Sequence, residues 1–213
     1  VPYSLHLVVE ARHAEAMKAA LDEATAIACE AGGRPLPDTI PRMMRVQPFG
    51  PMDATLGPEG ERWVPTHGCV PISQGAAAMR RVQELFGRHR ERLLEHGVLV
   101  GLLTATVAPA VMVIEALFYW RDHPSPLHRA ITTPYKYAQG ARHEPNPAAR
   151  ALVAEMRGEM VAAFREFGGA HLGPGRSVPY SAHRDDASLA LLRTFKGALD
   201  PQGISNPGVL GLD

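Results

Sequence analysis

Histidine and cysteine are the side chains here that could ligate a metal or carry a proton, and the chain holds ten of the first and two of the second. Their spacing speaks against a metal centre: no His-x-His, His-Glu-x-x-His or Cys-x-x-Cys pattern occurs. Cys29 and Cys69 make neither a disulfide framework nor a zinc knuckle, and read as reduced thiols of a cytoplasmic protein. His89 and His96 lie on what reads as a solvent-facing stretch of helix, where His96 at the helix end favours the dipole. The other reactive types gather in two stretches. One is extended, from Arg62 to Gln74, and contains His67 and Cys69. The other runs from Gly168 to Arg184, is broken by Gly and Pro, and contains His171, Arg176, Tyr180 and Arg184. Gly173-Pro174-Gly175 in that stretch neither follows a clear strand nor opens a helix, so it is not a dinucleotide-binding loop.

The charge balance narrows the class of partner. Lys plus Arg and Asp plus Glu number 22 each. Nucleic acid or another polyanion would call for a basic excess, so none is expected as partner. No run reaches the roughly 18 apolar residues a membrane helix needs. The most apolar stretch, Val98 to Trp120, is interrupted by Gly101, Thr104, Thr106, Pro109 and Glu115. There is no signal-peptide pattern, and the sequence opens at Val1 directly into a strand-like alternation, which reads as a fragment or excised domain with something upstream. A chain of 213 residues can bury a substantial core.

The elements that must position these residues follow from periodicity. Tyr3 to Glu10 alternates and predicts a half-buried strand. Arg12 to Ala31 predicts a helix with Met17, Ala20, Leu21, Ala24, Ile27 and Ala28 on one stripe, ended by Gly32-Gly33. A Pro-rich irregular segment follows, with a short strand over Arg42–Val46. Ser73 caps a helix from Gln74 to about His96, stopped by Gly97. Val98–Val107 and Ala110–Tyr119 predict an antiparallel hairpin whose strands, apolar on both faces, belong in the middle of a sheet. Arg121 to Asn146 reads as surface loop. Asn146-Pro147 opens a long helix whose stripe is Val153, Met156, Met160, Ala163, Phe164 and Phe167, closed by Gly168-Gly169. A last helix runs from about Asp186 to Leu199. The sum is an α+β fold, an antiparallel sheet with helices packed on one face, ferredoxin-like, leaving the other face as the roof of a pocket.

Three patches carry a resemblance. The C-terminal run with Lys196, Asp200-Pro201, Ile204 and Pro207-Gly208 resembles the closing signature of FAD-linked oxidases and dehydrogenases of the vanillyl-alcohol oxidase and p-cresol methylhydroxylase (4-cresol dehydrogenase) family. The run Arg62-Trp63-Val64-Pro65-Thr66-His67-Gly68-Cys69-Val70-Pro71-Ile72-Ser73-Gln74 is similar to the segment that leads from the pocket edge into a cap-domain helix of those enzymes. Tyr180 stands where the phenol-oxidising members have a Tyr-Arg pair, although Ser181 follows it in place of Arg.

The resemblance implies a substrate-binding cap domain over residues 1–184 and a C-terminal helix and tail over 185–213, returning toward an FAD-binding domain upstream. It implies FAD as cofactor and oxidation of a para-substituted phenol, a small aromatic substrate, by hydride transfer to flavin N5. In that picture Tyr180 holds the phenolate and Arg176 or Arg184 balances its charge. His67, Cys69 and His171 line the substrate pocket, and Asn206, Pro207 and Gly208 pack toward the cofactor. The electron acceptor is a cytochrome or oxygen, and a homodimer is a plausible assembly. The chemistry explains the residue types: a phenol ionises near pH ~10, so donors and a cation must favour the phenolate before hydride loss becomes easy. Two rivals stay open. One is an FAD-dependent 2-hydroxy-acid dehydrogenase of the D-lactate or glycolate kind. The other is a non-catalytic ferredoxin-like ligand-binding module.

Overall fold

A sheet needs one apolar face per layer that covers it, and the alternation of the third strand shows which face is covered here. The computed structural model describes residues 3–46, 48–49, 52–107, 109–173, 178 and 180–212. They form two compact units, Val1–Pro51 and Met52–Asp213.

The first unit contains two helices, α1 (Ala14–Glu30) and α2 (Thr39–Val46), neither with a buried residue. The predicted helix at the first position is present. The predicted strand over Tyr3–Glu10 is not: those residues have no ladder partner and take no regular structure. Alternation alone does not make a strand without a neighbour to bond. The strand predicted over Arg42–Val46 is helical instead. Pro41 sits in the first turn of α2, where its missing N–H would have no partner anyway. An i,i+4 ion pair between Asp38 and Arg42 (2.6 Å) supports that turn.

The second unit is built on three antiparallel strands, β1 (Arg62–Pro71), β2 (Val98–Val107) and β3 (Val111–Trp120), in the order β1-β3-β2. Ile114, Ala116, Phe118 and Trp120 of β3 point to one face and are all buried. That face is covered by α3 (Gly75–Arg88) and α7 (Pro147–Glu166), which deliver Val82, Leu85, Leu152, Met156, Met160 and Phe164 to the same core. The α+β architecture with helices on one sheet face is the one the sequence predicts. Asn146 caps α7 by accepting from Ala149 N–H (3.0 Å), with Pro147 at the first position. At Gly68 β1 meets α7 so closely that a Cβ would lie 2.3 Å from the Phe164 ring.

Several local expectations are corrected. The helix predicted from Gln74 to His96 is split at His89 into α3 and α4 (Arg90–Glu95). His89 is buried rather than solvent-facing, and its Nε2 lies 3.1 Å from both Glu159 carboxylate oxygens. Only β3 is central. β2 is an edge strand, and Leu99 (70 % exposed), Leu103 (47 %) and Val107 (49 %) face away from the helices. An apolar run on both faces therefore marked an uncovered sheet face rather than a central position. The surface loop predicted over Arg121–Asn146 carries two short helices, α5 (Pro126–Ile131) and α6 (Pro134–Gly140), each opened by a proline. Helix α8 (Asp186–Leu199) is capped by Asp185, which accepts from Ser188 N–H (2.9 Å).

Asp122, just past β3, ties this unit together. It has no exposure and accepts from the Trp120 indole (3.2 Å), the Asn146 N–H (2.8 Å) and the Arg150 guanidinium (2.8 and 3.1 Å). Arg62 approaches the same carboxylate at 3.6 Å. Burial opposes its charge, but these donors outweigh burial and hold the carboxyl below its ordinary 3.8.

Candidate functional site

The strand register sets the uncovered sheet face in rows. Trp63, Tyr119 and Leu99 form one row, then Pro65, Leu117 and Gly101, then His67, Glu115 and Leu103, then Cys69, Val113 and Ala105. Glu115 is thus a single carboxylate in the middle of an otherwise apolar face of β3. It also acts on Tyr119: burial first, and the Glu115 charge second, push that phenol above its ordinary 10.0, so it stays an O–H donor at neutral pH.

His67 and Cys69, predicted as pocket residues, both lie on this face. Beyond them residues 170–172 run along the outer edge of β1. Cys69 and Ala170 exchange both backbone hydrogen bonds (2.7 and 2.9 Å). His171 Nδ1 donates to His67 O (2.6 Å), and Leu172 N–H donates to His67 Nε2 (3.0 Å). A neutral His67 therefore carries its proton on Nδ1. The two rings stand edge to face with centroids 6.2 Å apart. The structure brings His67, Cys69 and His171 together, as a strand addition held by backbone bonds. Burial pushes the Cys69 thiol above its ordinary 9.0, which keeps it protonated and makes it a poor nucleophile.

Tyr180 opens a short 3-10 turn, Tyr180–His183, and the Arg184 guanidinium lies over its ring at 4.5 Å from the centroid. These two predicted residues meet as a cation–π pair. Arg176 lies outside the described residues. The C-terminal tail comes back to the same turn, since a Cβ at Gly211 would stand 2.7 Å from Ser181 Oγ.

The tail signature has a physical explanation. Asp200, at the end of α8, accepts from Lys196 Nζ and from the backbone N–H groups of Ile204 and Ser205 (3.0 Å each). Lys196 also donates to Ser205 O (2.6 Å). One Lys–Asp pair thereby folds residues 200–205 into a turn, and Asn206 beyond it takes a left-handed φ of 50°. Pro207 and Gly208 follow in that tail, Gly208 also left-handed at φ 74°. The Lys196 hydrogen bond, against burial and with the two backbone donors, holds the Asp200 carboxyl below its ordinary 3.8. A lowered carboxyl pKa gives order that is present above the unfolded value and lost as pH falls through the folded one. The Ile204 and Ser205 amide resonances are expected to stay constant from neutral pH downward and to move only below pH 3.8. A midpoint above that value would show that Asp200 does not hold the turn.

Two groups were not legible beforehand. Glu115 and Tyr119 gain meaning only from the register, because an isolated Glu in an apolar strand carries no motif. His89, Glu155 and Glu159 converge within 4.8 Å, a spacing a metal could use. Arg92 already grips Glu155 with two bonds (2.8 Å each), and Arg88 reaches Glu159 (3.5 Å), so the cluster is an ion-pair network joining α4 to α7.

Among the described residues no helix is long and apolar enough to cross a membrane. No curated protein gives a significant match to the chain. Residues 142–210, from the segment between α6 and α7 through α8 and its tail, match the family described as FAD linked oxidases, C-terminal domain, which supports an FAD-linked oxidase C-terminal domain here and implies FAD as its cofactor.

Proposed function

We propose that this chain supplies the substrate cap and C-terminal tail of an FAD-dependent oxidoreductase that oxidises a para-substituted phenol. The observation that carries the reading is the stacked Tyr180–Arg184 pair, with the signature tail folded back onto its turn. Tyr180 offers a hydroxyl that can donate to a phenolate oxygen, and Arg184 fixes the ring while keeping a cation beside it. Arg176 is a second cation for the same role.

The residues present fit a flavin. A flat aromatic ring system suits a flat apolar surface, and the open sheet face offers Leu99, Leu103 and Leu117 around Gly101, which has no side chain to obstruct approach. Asn206, Pro207 and Gly208 are the tail residues assigned to hold the cofactor. When bound, the flavin supplies the two-electron acceptor for the hydride that leaves the substrate. The chain's own part is to hold the phenolate oxygen at Tyr180, keep water from the apolar face, and present His67 with its proton on Nδ1. His67, Cys69 and His171 line the outer side of that face.

The test is made on the full-length protein carrying its FAD. Anaerobic addition of a para-alkyl phenol is expected to bleach the long-wavelength flavin band. Tyr180→Phe is expected to slow that bleaching by about 100-fold, the usual cost of removing one aimed donor. Bleaching by lactate or glycolate alone would move the assignment to a 2-hydroxy-acid dehydrogenase. A protein that takes up no FAD would overturn both and leave a binding module.

A further inference from the structure

A cleft lies between residues 53–58, the end of β3 and helix α6. Its volume is about 650 Å³, within the range of small-molecule sites. Its walls are cross-linked beneath the opening. Asp53 accepts from both the N–H and the hydroxyl of Thr133 (2.7 Å each), and Lys136 donates to Pro58 O (3.0 Å). Gly60 packs so closely on Gly140 that a Cβ would stand 2.3 Å from its backbone nitrogen. Both carboxylate oxygens of Asp53 are thus engaged by Thr133, while the Lys136 ammonium has two N–H groups beyond the one spent on Pro58.

The polar groups of this cleft are of unlike kinds. Lys136 presents a cation, and Tyr119 presents a phenol O–H. Gln139 donates through Nε2 to the Tyr135 hydroxyl (3.2 Å), which turns its amide oxygen the other way. That oxygen is out of water and has no donor among the described residues. A buried acceptor left without a donor is costly, so a ligand that brings one is favoured. Lys136 and Gln139 are three residues apart on α6, neighbours on one helix face at roughly 5–6 Å between Cβ atoms, about the span of a substituted benzene ring. Tyr135, 72 % exposed, stands as an aromatic wall at the mouth, and Leu56 and Pro58 supply an apolar side.

We infer that this cleft binds a hydroxyaryl carboxylate, with the carboxylate on Lys136, the ring against Tyr135 and the hydroxyl donating to Gln139. The inference does not depend on the flavin reading, because its test reads binding and not reduction.

The probes are 4-hydroxyphenylacetate and phenylacetate, titrated into the full-length protein by calorimetry, with backbone amide shifts of Gly57, Lys136 and Gln139 as the locator. The hydroxylated acid is expected to saturate, to shift those amides and to bind more tightly than phenylacetate. Lys136→Met is expected to weaken both acids by about tenfold or more, with Lys136→Arg restoring most of the affinity. Gln139→Met is expected to erase the preference for the hydroxylated acid and leave phenylacetate unchanged. Tyr135→Ala, a change at an exposed side chain that leaves the fold intact, is expected to weaken both. Absence of saturation in the unmodified protein overturns the assignment, as do shifts confined to other residues or equal affinities across these variants.

Discussion

Asp122→Ala is expected to lower the free energy of unfolding by about 3 kcal/mol, the lower end of the range for a broken buried ion pair. The lower end applies because Arg150 keeps partial access to water. The substitution strands four donors at once: the Trp120 indole, the Asn146 N–H, and the guanidinium groups of Arg150 and Arg62. It also leaves Arg62 facing Arg150 without the charge that separates them, and burial already lowers the Arg62 pKa. Asp122→Asn keeps an acceptor for Asn146 but not the charge, and is expected to fall between the two. Urea denaturation of the three proteins decides it, and a loss below about 1 kcal/mol for the alanine variant would show that water replaces the carboxylate. Because the native carboxyl lies below 3.8, its contribution is complete above that pH and fades as the solution is acidified through the folded value. The stability gap between wild type and Asp122→Asn should therefore narrow in acid.

The second large effect is expected at Gly68. An alanine there places its Cβ 2.3–2.7 Å from three ring carbons of Phe164, a side chain that is itself almost fully buried and has nowhere to retreat. Overpacking of this kind costs about 1–3 kcal/mol, and valine at the same position should cost more. The pair is testable as a cycle. Phe164→Leu alone opens space and destabilises, but in the Gly68→Ala background it should recover part of the loss, because the two changes share one volume. Strict additivity of the two losses would refute the packing account.

The sequence made the buried parts of the larger unit legible wherever one pattern had one explanation. The stripe Val153–Phe167 with Asn146-Pro147 before it and Gly168-Gly169 behind it could only be a capped amphipathic helix, and α7 is that helix. The helix read from about Asp186 to Leu199 is likewise α8. Errors came where a pattern had two explanations. Strand β2 is apolar on both faces, which fits either a central strand or an edge strand with an uncovered face, and only the register separates them. Tyr3–Glu10 alternates well, yet a strand is a relation between two segments and one segment cannot show it. His89 illustrates the same limit: a histidine at a helix position gives no sign that Glu159, seventy residues later, will meet it. For the candidate site, resemblance singled out Tyr180, Arg184, His67, Cys69 and His171, whereas Glu115, Tyr119 and Lys136 become candidates only once strands and short helices are set beside one another.

The order β1-β3-β2 also sets a sequence of events in time. β2 and β3 are neighbours along the chain and can zip together within microseconds, as local hairpins do. β1 must wait. Its partner β3 is separated from it by α3, α4 and β2, so closing that loop carries an entropy cost that the hairpin avoids. Until β1 arrives, every second residue of β3 holds its N–H and C=O out unpaired on the outer side, and its covered face lacks α7, which is synthesised last of the core elements. The nascent chain is thus most exposed to misassociation after Trp120 has emerged and before Phe164 has closed over Gly68.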